Sequence, residues 1–339
     1  INGDMRIDQR NAGVSGTAVG YTVDRFGYYG TQASKGTWQQ NAGSVTPPAG
    51  FKNYLGFTVG ASANVTVGAS DLFELYQSIE GYNLADLGFG ADGASTVTVS
   101  FWVRSSLTGT FGGSLTNNGN TRNYPFTYTI SAANTWEQKT VTVAGDTTGT
   151  WLTTNGVGMV VIFAFGAGSS FLTGTANTWN GTTSAIIPTG ATNLITTNSA
   201  TFYITGVQLE AGSVATPFEH RQYGQELQLC QRYYFKLASG VNGQIAAGYY
   251  YSATQIQLWT RFPVSMRTAP VISTVTGTNY YKIEPAGGGS DNFDSFTINL
   301  PTTEGTLIYN STNVSGTAGS PGQVYTNNAA AFIAFSSEL

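Results

Sequence analysis

The sequence predicts an all-β protein: a β-sandwich, a short linking helix and a second, smaller β-sandwich. Three observations predict it. Apolar and polar residues alternate in many short runs, Gly- and Asn-rich turns separate the runs, and only one segment carries helical spacing. The clearest alternating runs are STVTVSFWV (95–103), KTVTVAG (139–145), TFYITGVQLE (201–210), TQIQLWTRFPV (254–264) and DSFTINL (294–300). GMVVIFAFGAG (158–168) has the length of a buried strand or two. Between them, GTFGGSLTNNGNTRN (109–123) and EPAGGGSDNFD (284–294) are rich in residues that tolerate turn conformations. Strands this numerous, without an internal repeat, favour a sandwich over a solenoid or propeller.

The helical segment is YGQELQLCQRYY, where Leu227, Cys230 and Tyr234 fall at i, i+3 and i+7. It follows Pro217, and the next strand-like run begins near Gly248. A helix between two β regions predicts a first domain over 1–216, a linker with the helix over 217–235, and a smaller domain over 236–339. Glu219, His220, Arg221, Glu226, Cys230 and Arg232 crowd this stretch, with the chain's only His and only Cys. A nucleophilic triad would need a Ser or Cys held by His220, and no G-x-S-x-G elbow is present. Cys230 falls on the apolar side of the helix, where a small thiol packs well. The cluster therefore reads as a joint, with charge pairs fixing how the domains meet.

Composition narrows the function classes. Charged residues are 9% of the chain, against roughly 25% in an average soluble protein. No apolar run approaches the ~20 residues that span a bilayer, and 41% hydrophobic with 13% aromatic content argues against disorder. A net charge of −4, with Lys and Arg scattered, leaves no electrostatic footprint for nucleic acid. One cysteine excludes an intrachain disulfide and a Cys-based zinc site. An uncharged polar surface over a β core fits an extracellular or virion protein. The chain starts at Ile1 without an initiator Met or a leader and is expected to be a fragment or a processed product.

Motifs with chemistry are few. GFGADG (88–93) matches a dinucleotide fingerprint, but a strand follows it where a helix N-terminus is needed, so it reads as a turn. A glycoside hydrolase needs two carboxyl groups across a cleft; Asp71, Glu74, Glu80 and Asp86 are the densest acidic group, and hydrogen-bonded strand edges explain them as well. Asn64, Asn180, Asn310 and Asn313 each start an N-x-[ST] triplet, expected by chance in so Asn- and Thr-rich a chain.

The aromatics say more. Trp38, Trp136, Trp151 and Trp179 lie in or beside turn-rich segments, as do Tyr28, Tyr29 and Tyr124, while Trp102 alternates inside a strong strand and reads as core. Aromatic faces stack on the C–H faces of sugars while Asn, Gln and Thr hydrogen-bond the hydroxyls, which suits neutral polysaccharides. Trp38, Tyr124, Trp151 and Trp179 are the carbohydrate-binding candidates.

Longer stretches carry a resemblance. SFWVRSSLTGTFGGSL, SAANTWEQKTVTVAGDTTGTW and FYITGVQLEAGSVATPFEHR resemble the jelly-roll, carbohydrate-binding-module-like domain of tailed-phage tail fibre proteins, especially of marine and environmental phages. NGDMRIDQRNAG with GYTVDRF is similar to the opening of that domain, and ELQLCQRYY to the segment after it. TRFPVSMRTAPVI and AAFIAFSSEL look like the β-rich tip of such chains. The resemblance implies an antiparallel jelly-roll with a β tip, carried on a virion as a homotrimer that contacts a host cell-surface glycan and other virion proteins. Calcium-binding relatives often carry an Asp where this chain reads Thr205-Gly206-Val207; Asp4 remains as one oxygen ligand. Four functions compete: a non-catalytic attachment fibre first, then a capsid or tail decoration without sugar binding, a depolymerase, and a detached cellular carbohydrate-binding module. Burial of Trp38, Trp151 and Trp179 would favour the decoration.

Overall fold

A computed structural model describes residues 1–63, 65–172 and 175–339. The chain divides into two units, Ile1–Gln222 with Leu339, and Tyr223–Glu338. The division falls between Gln222 and Tyr223, so residues 217–222 belong to the first unit and 223–235 to the second.

The first unit is a sandwich of two antiparallel sheets. Its strands are Gly20–Tyr21 (β1), Phe26–Gly30 (β2), Gly36–Gln40 (β3), Leu55–Val59 (β4), Leu72–Glu80 (β5), Val97–Ser105 (β6), Gly109–Thr116 (β7), Asn123–Ile130 (β8), Glu137–Val143 (β9), Val157–Ala167 (β10) and Thr201–Ala211 (β11). One sheet runs β1-β2-β5-β10-β7-β8 and the other β3-β4-β11-β6-β9. The chain passes repeatedly from one sheet to the other, which is jelly-roll connectivity. Alternation places Val97, Val99, Phe101 and Val103 of β6 inward, each fully buried, against Phe126 and Phe163 of the opposite sheet. A ring pair such as Phe101 and Phe163, 4.9 Å apart and edge-to-face, adds to the area term of burial.

The second unit begins with the helix Tyr223–Gln231 (α1). Its strands are Tyr234–Ser252 (β12), Gln255–Arg261 (β13), Val271–Thr274 (β14), Tyr281–Pro285 (β15), Asp291–Phe293 (β16), Thr297–Asn299 (β17), Gly305–Asn310 (β18) and Pro321–Ser336 (β19). They form one antiparallel sheet in the order β16-β15-β19-β12-β13-β18-β17, with β14 paired to β19. Ile256, Leu258, Ile283, Ile308 and Phe335 build a core separate from that of the first unit.

The all-β class with one short helix is as the sequence predicts, and three local readings change. β12 starts at Tyr234, directly after the helix and well before Gly248, because its pairing with β19 shifts register four times and so breaks the alternation. The buried helix positions are Glu226 and Cys230, while Tyr234 already belongs to β12. Trp102 lies on the outward parity of β6, half-buried, and is not core.

Candidate functional site

Three of the four carbohydrate-binding candidates converge at one end of the first unit. Trp151, in the stretch after β9, and Trp179, in the stretch after β10, meet edge-to-face with centroids 5.4 Å apart. Tyr124, at the start of β8, packs edge-on against Trp179 at 5.2 Å. Phe89, hidden in the sequence within the GFGADG turn, closes the group at 4.8 Å from Trp151 and 6.0 Å from Trp179. That turn precedes a strand and offers no helix N-terminus to a phosphate. Trp151 and Trp179 remain partly exposed, while Tyr124 is buried beneath them.

The rings are held by hydrogen bonds at their indole N–H groups, while their inner surfaces pack on the core of the first unit. The Trp179 indole N–H donates to the Ala144 carbonyl at 2.8 Å, and the Trp151 N–H to the Thr148 carbonyl at 3.2 Å. Backbone bonds between Asn123 and Asn180 fix the Trp179 loop to the start of β8. Asn180 spends its own amide on the Thr175 and Thr178 carbonyls. Fixed rings lower the ordering cost that a ligand would otherwise meet.

Beside the rings, Arg122 makes a two-pronged bond to Asp146, Nε at 2.6 Å and Nη2 at 2.7 Å. Asp146 is buried and also accepts the backbone N–H and the hydroxyl of Thr148, the residue that anchors Trp151. The hydrogen bonds that Arg122 donates to Asp146 push its pKa up and keep the guanidinium charged. Asn117 completes the frame, accepting the Arg122 backbone N–H at 2.9 Å and donating to the Thr150 carbonyl at 2.9 Å. Gly149 sits under the Arg122 stem with φ +79°, and a Cβ there would lie 2.4 Å from Arg122 Cγ. Gly149→Ala is therefore expected to lower stability by about 1–2 kcal/mol through the left-handed backbone alone. It should also quench or shift Trp151 emission as Arg122 is displaced. Unchanged melting and unchanged emission would show that the turn is tolerant.

The fourth candidate stands apart. Trp38 belongs to β3, is buried, and donates its indole N–H to the Ala18 carbonyl at 2.9 Å. Gly16 lies flat on its ring, so close that a Cβ there would be 2.2 Å from Cζ2. The indole is packed rather than presented, and Trp38 leaves the binding set. Of the other loop aromatics, Tyr28 is core, with burial pushing its hydroxyl pKa up to about 12. Trp136 packs against Tyr54 at 5.6 Å on the outer side of the five-stranded sheet.

Within the acidic group, Glu74 and Glu80 stand too far apart to act as a pair. Glu74 and Glu80 lie on one strand six residues apart, a separation of about 20 Å, whereas hydrolytic carboxyl pairs stand about 5–9.5 Å apart. Asp71 accepts bonds from the Thr31 hydroxyl, the Gln32 amide and the Gly68 N–H, which lower its pKa. Asp4, the one oxygen ligand the sequence leaves for a calcium whose other ligand is missing, is ion-paired with Arg6. Among the described residues no group of three or more His, Cys, Asp or Glu is placed to hold a metal. Asn64, in one of the N-x-[ST] triplets, lies outside the described residues.

The residues read as a joint fall into two sets. In the first unit, Arg221 pairs with Glu219 at 3.2 Å, and the His220 ring packs against Phe218 at 4.9 Å and Phe51 at 5.2 Å. In the second, Glu226 and Cys230 are buried on α1, and Arg232 donates to the Ser265 carbonyl at 3.3 Å.

No family model and no curated protein matches the chain. Solved structures similar to it include the enzymatically active domain of bacteriophage CBA120 tailspike protein 4, at 11% identity and a TM-score of 0.32. That match covers 55% of this chain and 19% of the tailspike chain. The family 11 carbohydrate-binding module from Clostridium thermocellum, in complex with a β-1,3-1,4-mixed-linked tetrasaccharide, is 9% identical over 60% of this chain and 98% of its own, with a TM-score of 0.30. TmCBM61, in complex with β-1,4-galactotriose, is 10% identical over 56% of this chain and 91% of its own, with a TM-score of 0.29. Likenesses this distant carry no weight for function, which rests on the chemistry of the site.

Proposed function

We propose that the protein is a non-catalytic, glycan-binding attachment protein of a phage tail fibre, displayed on the virion exterior as a homotrimer. The observation that carries the glycan reading is the convergence of Phe89, Tyr124, Trp151 and Trp179, with two partly exposed indoles locked in place beside the Arg122–Asp146 pair. Ring faces offer C–H stacking to a pyranose, and the guanidinium edge offers donors to its hydroxyls. Several weak sites on one oligomer reach useful avidity at a cell surface. The spacing of Glu74 and Glu80 supports binding without hydrolysis. The attachment role itself rests on the sequence resemblance.

The second reading, a decoration protein that binds no sugar, is favoured by the burial of Trp38 and Tyr124. One experiment separates the two. Labelled protein is bound to candidate host cells with and without periodate oxidation of their surface sugars. Saturable binding that periodate removes, and that W151A/W179A weakens about tenfold or more, is the expected result. Binding indifferent to both treatments would leave the cluster as packing and favour the decoration.

A further inference from the structure

All six tryptophans lie among the described residues, and Trp259 alone is exposed, at 58%. It belongs to β13, where Ile256, Leu258 and Thr260 turn inward and Gln255, Gln257, Trp259 and Arg261 turn outward. The pairing of β13 builds a face around it. Tyr249 of β12 and Tyr309 of β18 both stand opposite Gln257, one on each side. At ~4.8 Å per strand the two tyrosine positions are about 10 Å apart, with Trp259 about 7 Å further along β13. Tyr251, 60% exposed, extends the aromatic row along β12. Amides fill the gaps: Gln257 accepts the Tyr249 hydroxyl at 3.1 Å, and Gln323 of β19, opposite Ala247, accepts the Gln244 amide at 3.4 Å.

The character of this face selects its occupant. On β13, β18 and residues 247–252 the large exposed hydrophobic side chains are Trp259, Tyr249 and Tyr251, all aromatic and none aliphatic. Protein interfaces also centre on Tyr and Trp; what favours a glycan here is the row of amides set between the rings, with no exposed aliphatic side chain beside them. Here the charged groups are Arg261, at the strand end, and Lys282 with Glu284, which neutralise each other at 2.7 Å. Aromatic rings with primary amides between them, and Arg261 as the one charge left over at the strand end, suit a ligand that has apolar C–H faces and many hydroxyls. We propose that the outer face of the second unit is a glycan-binding site of its own. It takes a neutral polysaccharide, with pyranose faces on Trp259 and the flanking tyrosines and hydroxyls on Gln255, Gln257 and Gln323. This rests on the reading that the protein binds neutral glycan, and it adds a second site on the other unit.

Native affinity electrophoresis through gels cast with hydroxyethylcellulose, galactomannan, arabinoxylan or dextran tests it, with sedimentation velocity on the same samples. The wild type is expected to be retarded in at least one gel. W259A should lose about fivefold in affinity there, W259Y should keep most of it, and W151A/W179A should remain retarded until W259A is added. If W259A migrates as wild type while W151A/W179A loses all retardation, this site is overturned and the first-unit site stands. If W259A alters the sedimentation coefficient and not the retardation, the face is a contact between copies of the chain and the proposal fails. Absence of retardation of the wild type in every gel counts against both sites.

Discussion

Asp146→Ala is expected to lower the stability of the first unit by about 3 kcal/mol, because it strips a buried acceptor from four donors at once. For a unit of this size that corresponds to a melting shift of roughly 6–12 °C. Arg122 would keep its charge with no partner for its two-pronged bond, and Thr148 would lose the bonds that set the Trp151 carbonyl anchor. The same variant should therefore weaken glycan binding as strongly as W151A/W179A, although the hydrogen bonds of the Asp146 side chain go to Arg122 and Thr148 and not to a ring. Asp146→Asn keeps the shape and two acceptor lone pairs and should fall between the two. Differential scanning calorimetry beside the affinity gels would check both effects. A variant that melts as wild type would mean that the ion pair only decorates the site.

Glu74→Gln should remove one contribution to the pH dependence of stability. Glu74 lies on β5 opposite Tyr29 and Ala164, beside the apolar patch of Leu72, Ile162, Ala164, Ile186 and Ile187. The residue is half-buried, yet its Oε2 is enclosed and unpartnered, and burial pushes its pKa up to about 8. An unfolded chain ionises this carboxyl near its ordinary value, while the folded chain keeps it protonated until about 8. Folding thus takes up a proton across that interval, and stability falls as pH rises through it, by at most ~1.4 kcal/mol per pH unit. Carboxylates with lowered pKa values, Asp71 and Glu137 among them, act in the opposite sense and lose stability as pH falls. They are common to both proteins and cancel in the difference. Melting temperatures of wild type and E74Q should accordingly diverge between pH 5 and pH 8, with the variant gaining at the alkaline end. Parallel curves would show that solvent reaches Glu74.

Much of this was legible in the sequence, for identifiable reasons. β6, β9 and β11 alternate in sequence because one face of each is core, whereas β10 is a continuous apolar run because both of its faces are covered. Trp151 and Trp179 were findable as large rings in polar, turn-rich loops. Trp38 gave the same local signal from a short strand whose burial depends on Gly16, distant in sequence and packed on its ring. Phe89 escaped because its segment carries the composition of a turn, in which a single aromatic ring gives no periodic signal. Trp102 and Trp259 teach a matching lesson about parity. Each sits in an obvious strand, and the side it faces follows from its neighbours at i±2: Gln257 and Arg261 already place Trp259 on the wet face. Long-range pairing stayed out of reach, since β12 bends past β19 through shifts that leave no periodic trace.

The pairing of Tyr234 with Ser336 has a mechanical consequence. β12 is the first strand after α1 and β19 the last strand of the unit, so the start of the sheet and its end are neighbours across one rung of an antiparallel ladder. Tension applied between those two points would load the rungs one after another and peel the strands apart like a zipper at low force. Tension that enters along β12 alone and leaves through something bound elsewhere on the sheet would load many rungs together, in shear. In an optical trap, the unit pulled by both ends should therefore rupture far more easily than the same unit held at one end.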